Sequence, residues 1–239
     1  MVAESDALAG MRNWRGLAPA DRIAARRAQL IEAATDMMAT SGSAQLSMRG
    51  VCRQAGLTER YFYENFPNLD ALMVTVLDTV VIGARDRLLD ALTEAPTERE
   101  AMFHHVVAAF TDFLLEDRRR GPIMFMESQA NPVLKKRGDE LIALFTQPIA
   151  FTIGSGDYRE PLPDHLDASL NANAIFGSLA YLYRPWLDGT FDVPRERFDQ
   201  HAVRVLTAIA TVRSSDVPRS SDAPRSSDVP RSSDVTDES

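Results

Sequence analysis

The chain has 239 residues, 45% of them hydrophobic and 25% charged, with a formal net charge of -8. That composition belongs to a soluble chain able to bury a sizeable core, and no apolar run approaches the ~18 residues a membrane span needs. The start lacks a basic stretch followed by a long apolar core, so no membrane partner and a cytoplasmic location are expected, and the single cysteine, Cys52, excludes an internal disulfide.

Cys52 reads as a small core residue, and no Cys/His cluster has zinc-site spacing, so neither metal nor cofactor is expected. The net negative charge argues against a polyanion partner, but its distribution does not. Residues 11 to 60 carry eight arginines against four carboxylates, a basic front on an acidic body. Such a chain can meet a polyanion with one end only.

In chain order, residues 1–18 read as a flexible arm, in which Arg12, Trp14 and Arg15 either reach toward DNA or belong to an unstructured leader. From about Leu17 to Val212 the apolar spacing is helical and period-two strand signals are missing, so the fold class is all-α. Helices are predicted near 19–41, 47–55, 58–65, 68–93, 97–117, 122–129, 132–153, 164–187 and 194–212. The first carries Ile23, Leu30, Ile31, Ala34, Met37 and Met38 on one stripe. Ser47 is placed as the cap of a short second helix, Gly56 supplies a tight turn, and Thr58 caps the third. Two short helices around a Gly-containing turn form a helix-turn-helix, whose second helix can enter a major groove.

That second helix is GLTERYFYENF, with four aromatic residues in six positions. Helical phase turns Leu57, Phe62 and Phe66 inward and leaves Glu59, Arg60, Tyr61, Tyr63, Glu64 and Asn65 to face outward. These outer groups can bond base edges and phosphates, although Tyr61 and Tyr63 can equally cover a second patch of core.

The run from Arg49 through Gly56-Leu57-Thr58 and Tyr61-Phe62-Tyr63 to Asn65-Phe66-Pro67-Asn68-Leu69-Asp70-Ala71-Leu72 resembles the DNA-binding signature of the TetR family of transcriptional regulators. The likeness covers about residues 20–72; beyond it only the all-helical layout matches. It implies that Ser47, Arg49, Thr58, Glu59, Arg60, Tyr61, Tyr63 and Asn65 form the DNA-binding surface, Tyr63 bonding a phosphate. It also implies a lysine after the third helix, where this chain has Leu69.

The body, 68–213, follows the DNA-binding unit at 19–67. Pro96-Thr97-Glu98-Arg99-Glu100 reads as a capping box with Thr97 as the cap. Aromatic and Met-rich stripes among polar groups (Glu127, Gln129, Gln147, Asn171, Asn173) suggest either plain core or a ligand pocket. Phe110, Phe125, Met126, Gln129, Phe145 and Asn173 are the candidate ligand residues. A face of Leu170, Ala174, Gly177, Ser178 and Tyr181 permits close helix approach. The family resemblance implies dimerisation through the last two helices, with Gly177, Tyr181, Arg184, Trp186 and Leu206 as candidates. From Ser214 the hexapeptide SSDVPR recurs; a β-helix is excluded because no unit offers more than one apolar residue, so 214–239 reads as a disordered tail.

The expected function is a ligand-responsive regulator, a repressor that binds a palindromic double-stranded DNA operator as a homodimer and is released by a partly apolar small-molecule effector. The alternative is a helical dimeric sensor with degenerate DNA binding. An enzyme is not expected: His104 and His105 are adjacent and diverge on a helix, and Ile153-Gly154-Ser155-Gly156-Asp157 lacks the strand of a dinucleotide site.

Overall fold

The computed structural model describes residues 19–155 and 162–214, so the expected arm and all but the first residue of the expected tail lie outside the described residues. The elements are α1 (Pro19–Ser41), a single 3-10 turn (Ser43–Gln45), α2 (Met48–Ala55), α3 (Glu59–Asn65), α4 (Leu69–Glu94), α5 (Arg99–Glu116) and α6 (Arg120–Phe125). A second 3-10 turn (Glu127–Gln129), α7 (Pro132–Leu141), α8 (Ala143–Gly154), α9 (His165–Leu187) and α10 (Arg195–Ala210) follow, with no strand among the described residues.

Local chemistry accounts for most of the boundaries. The Ser47 hydroxyl accepts from the Gly50 amide at 3.1 Å and starts α2. Gly56 ends it at φ 66, a left-handed conformation that costs a glycine little. Asn68, Asn131 and Asp164 cap α4, α7 and α9 through amides three residues on. Two expected caps differ. Thr58 sits at the N-cap of α3 but its hydroxyl makes no capping bond. α5 is capped by Glu98, not Thr97, because the two carboxylate oxygens take the amides of Glu100 and Ala101 together at 3.0 and 2.7 Å.

The single helix expected over 132–153 is two, broken at Ile142. Pro148 lies inside α8 and has no amide to offer Leu144, but the break falls six residues before it, where Phe145 bonds the Ile142 carbonyl in a tighter turn. Ile23, expected on the inner stripe of α1, is 46% exposed, one turn short of the packed region.

Packing begins in the head with Leu30, Ala34 and Met38 of α1, Val51 and Cys52 of α2, and Phe62 and Phe66 at the other edge of the turn. Burial and the nearby Glu59 charge raise the Cys52 thiol above its ordinary range, which keeps it protonated and unreactive. The same buried cluster continues along α4 through Leu72, Val76 and Leu77 to Leu114, Ile123 and Tyr183. Head and body therefore share one apolar core, with α4 as its spine.

Candidate nucleic-acid interface and apolar slot

The outer face of α2 and α3 is polar and open. Tyr63 is 60% exposed, and the Arg49 and Arg60 side chains are 83% and 85% exposed. Ser47 and Thr58 are exposed beside them. The Ser47 oxygen is used as an acceptor, so its proton stays available to a phosphate. The two acids of α3 do not stand alone: Glu59 pairs with Arg49 at 3.0 Å, and Glu64 with Arg60 at 3.1 Å and Arg26 at 3.5 Å.

Two residues expected to face outward do not do so freely. The Arg26 guanidinium lies 4.4 Å over the Tyr61 ring and leaves it half-buried. Asn65 turns back, its amide donating to the Tyr61 carbonyl at 2.8 Å, and its Oδ1 is buried without a partner. Both follow from α1, which brings Arg26 and Arg27 onto the end of α3; Arg27 bonds the Asn65 carbonyl at 3.0 Å. Leu69, at the place of the expected lysine, packs against the core.

In the body, α4, α5, α6, α8, α9 and α10 surround a thin apolar slot. Its cavity volume is only about 90 Å³. Phe110, Phe125 and Phe145 line it as expected positions of a pocket wall. Gln129 lines an adjoining cleft instead, and Met126 is 41% exposed on another groove. Asn173 is exposed, its amide returned to the Ser169 carbonyl at 2.9 Å. Of the other polar candidates, Gln147 is exposed and Asn171 ties α9 to the Val212 carbonyl at 2.8 Å.

Ile149, Thr152, Phe176, Leu179 and Tyr183 also line the slot and were not singled out from sequence. Phe176, Leu179 and Tyr183 recur at the three- and four-residue spacing of one helix face, a signal that was present but overshadowed by the small residues on the opposite face. Tyr183 is 1% exposed, and its hydroxyl lies 2.7 Å from Thr111, which itself donates to Asp199 at 2.8 Å. The chain of bonds fixes Tyr183 as donor to Thr111, and burial raises the phenol so that it stays neutral.

The candidate dimer residues divide. Gly177 has open space at its α-carbon, Tyr181 is 80% exposed, and Leu166 and Leu170 continue the outward stripe of α9 at 66% and 57%. Arg184 is exposed at the end of that helix. Trp186 is stacked on Phe198 with centroids 4.2 Å apart, and Leu206 is a buried slot residue, so both belong to the protomer's interior.

Short α6 joins these regions. Met124 and Phe125 wall the slot, while Arg119, just ahead of the helix, bonds Asp117 at 2.8 Å, Glu32 at 2.6 Å and Asp36. Glu32 and Asp36 are on α1. Just beyond α6, buried Glu127 accepts the Ser43 amide at 2.7 Å. Gly42, at φ 82, makes the turn that presents that amide, a left-handed backbone conformation that strains any residue with a side chain. Both ends of one slot-lining helix thus grip the head.

No protein-family model matches the chain. It is similar to the fatty acid metabolism regulator protein of Bacillus subtilis (strain 168), 21% identical over 160 residues, 66% of this chain and 82% of that one. A transcriptional regulator FadR from Bacillus subtilis, solved in complex with stearoyl-CoA, matches with a TM-score of 0.60 at 20% identity, covering 77% of this chain and 97% of that one. A tetR-family transcriptional regulator from Streptomyces coelicolor matches with a TM-score of 0.59 at 20% identity, covering 77% and 79%. The chain has the all-α fold of these regulators, a helix-turn-helix head on a helical body. Among the described residues no single helix is long and apolar enough to cross a membrane.

Proposed function

We propose that this chain is a ligand-responsive transcriptional regulator of the TetR type, binding a palindromic DNA site as a homodimer and released from it by an effector with a long apolar chain. One observation carries the reading: α6 forms part of the slot wall and, at both ends, holds the helix-turn-helix head. An occupant that displaces Phe125 or Met124 shifts α6, and Arg119 and Glu127 carry the shift to α1. Affinity for DNA falls if the occupied slot favours a head position unsuited to the groove.

In this reading Ser47, Arg49, Thr58, Arg60 and Tyr63 meet phosphates and base edges. Glu59, freed from Arg49, accepts from a cytosine amine, and Tyr61 and Asn65 serve mainly to hold α3 in shape. The outward stripe Leu166, Leu170, Gly177 and Tyr181 is the proposed dimer face, placing two heads on successive grooves. The thin slot suits an extended acyl chain, the class carried by the Bacillus subtilis structure above. The arginines paired with Glu59 and Glu64 weaken the case for degenerate DNA binding, which keeps Leu69, at the usual lysine position, in its favour.

Mobility-shift titrations on fragments flanking the gene test this, at low and moderate salt, with and without hexadecanoyl-coenzyme A. Specific retention, relieved by the ligand, is expected. If no fragment is retained, DNA recognition is wrong; if retention ignores the ligand, the effector class is wrong.

A further inference from the structure

The slot accommodates the chain of an effector but gives its polar end nothing. Among the described residues, Thr152 and Tyr183 are the only lining residues with polar side chains, and no Lys, Arg, His, Asp or Glu reaches the slot. The Tyr183 hydroxyl is already committed to Thr111. An ionised group drawn inside would lose its water and find no partner, so charge is excluded from the slot.

Against the same wall lies a wider cleft. Met124, Phe125, Phe145, Phe176 and Ala180 border both spaces, and the cavity volume of the cleft is about 320 Å³. The far side of the cleft is polar. Its Ser128 hydroxyl is spent on the Met124 carbonyl at 2.7 Å. Arg184, Gln129 and the Tyr181 hydroxyl remain, all exposed; Tyr181 belongs to the proposed dimer face, and neither the Arg184 nor the Gln129 side chain makes a hydrogen bond or ion pair among the described residues. Asp188, the acid that feels the Arg184 charge, is held by Thr190 at 2.9 Å.

A narrow dry slot beside a broader cleft edged by a free guanidinium matches a molecule with a thin apolar tail and a bulkier anionic end. We infer that the cleft bordered by Arg184 and Gln129 is the subsite for an anionic head group, a carboxylate or phosphate, whose acyl chain lies in the slot. The inference rests on the effector reading above and adds the residues that select charge. Phe125 stands between the two spaces, so a ligand occupying both passes against α6.

Calorimetric titration of the full chain with hexadecanoate, hexadecanoyl-coenzyme A and the uncharged hexadecanol tests the assignment. At least one anion should bind more tightly than the alcohol, and the tighter anion identifies carboxylate or phosphate as the source. Arg184→Gln should weaken the anions by about ten- to a hundredfold and leave hexadecanol unchanged, with Arg184→Lys restoring most of the loss. Gln129→Leu, on the second 3-10 turn across the cleft from Gly177 and Tyr181, should give a smaller loss of the same kind, with oligomer mass measured alongside for both the Gln129 and the Arg184 variants. Equal binding of all three probes, insensitive to both substitutions, overturns the subsite while leaving the slot reading intact. If none of the three binds, the effector class falls with it, whereas retention of DNA fragments is judged separately.

Discussion

The face of α2 and α3 and the slot in the body handle polarity in opposite ways. On the head, charge is abundant and loosely held: Arg49 with Glu59 and Arg60 with Glu64 are exposed pairs, each worth little in water. Phosphates can replace those carboxylates at small cost, so the surface is built to exchange partners. In the slot, Tyr183 is bonded to Thr111 and Thr111 to Asp199, and the rest of the wall is almost wholly apolar. One region presents charge and the other excludes it, and α6 is linked to both.

The largest disturbance separates the two regions outright. Phe62→Ala empties a fully buried site under the recognition helix and should cost about 3–5 kcal/mol in urea unfolding, with specific DNA retention lost. Binding of hexadecanoyl-coenzyme A by the body should persist in whatever fraction keeps that part folded. Arg119→Ala cuts the bonds to Glu32 and Asp36 without touching either surface. DNA affinity without ligand should stay within about threefold, while the ligand-induced drop in affinity shrinks by about five- to tenfold in mobility shifts.

Smaller substitutions sharpen what the head uses. Arg49→Ala should lower the magnitude of the slope of log affinity against log salt by about 0.9, one counterion's worth. Tyr63→Phe should weaken binding about threefold to tenfold with the slope unchanged, because it removes a hydroxyl and no charge. The smallest effect is on acid stability. Hydrogen bonding from Arg119 holds the Asp117 carboxyl below its ordinary range, so its contribution is complete above that range and lost as pH falls through the lowered value. Asp117→Asn should flatten that part of the stability profile in acid unfolding, modestly, since the side chain is 28% exposed.

The head was legible because its information is local. A cap at Ser47, a left-handed turn at Gly56 and the phase of Phe62 and Phe66 lie within twenty residues. Phase alone does not say what another helix brings. Arg26 arrives from α1 and covers Tyr61, so a ring with an outward phase is half-buried. Capping was ambiguous for a similar reason: Thr97 and Glu98 both offer oxygens, and only the carboxylate offers two to adjacent amides. The slot draws single residues from six helices, and no short window of sequence contains it. Its aromatic members could be named from composition, but Asn173 and Met126 point elsewhere because helix phase in the body is set by neighbours distant in sequence.

The two bonds from Asp167 to Ser214, with the Asn171 tie to Val212, fasten the end of the described chain to the first turns of α9. The last turn of that helix, at Leu187, approaches Gly121 beside the clamp on the head. A helix of 23 residues is about 34 Å long, so Ser214, the last described residue, is held at the end of the body remote from the clamp on the head. A reporter attached to an exposed residue of the first turn of α9, off the Leu166 stripe, would therefore sit far from α3 and leave that helix clear while DNA release is followed in real time.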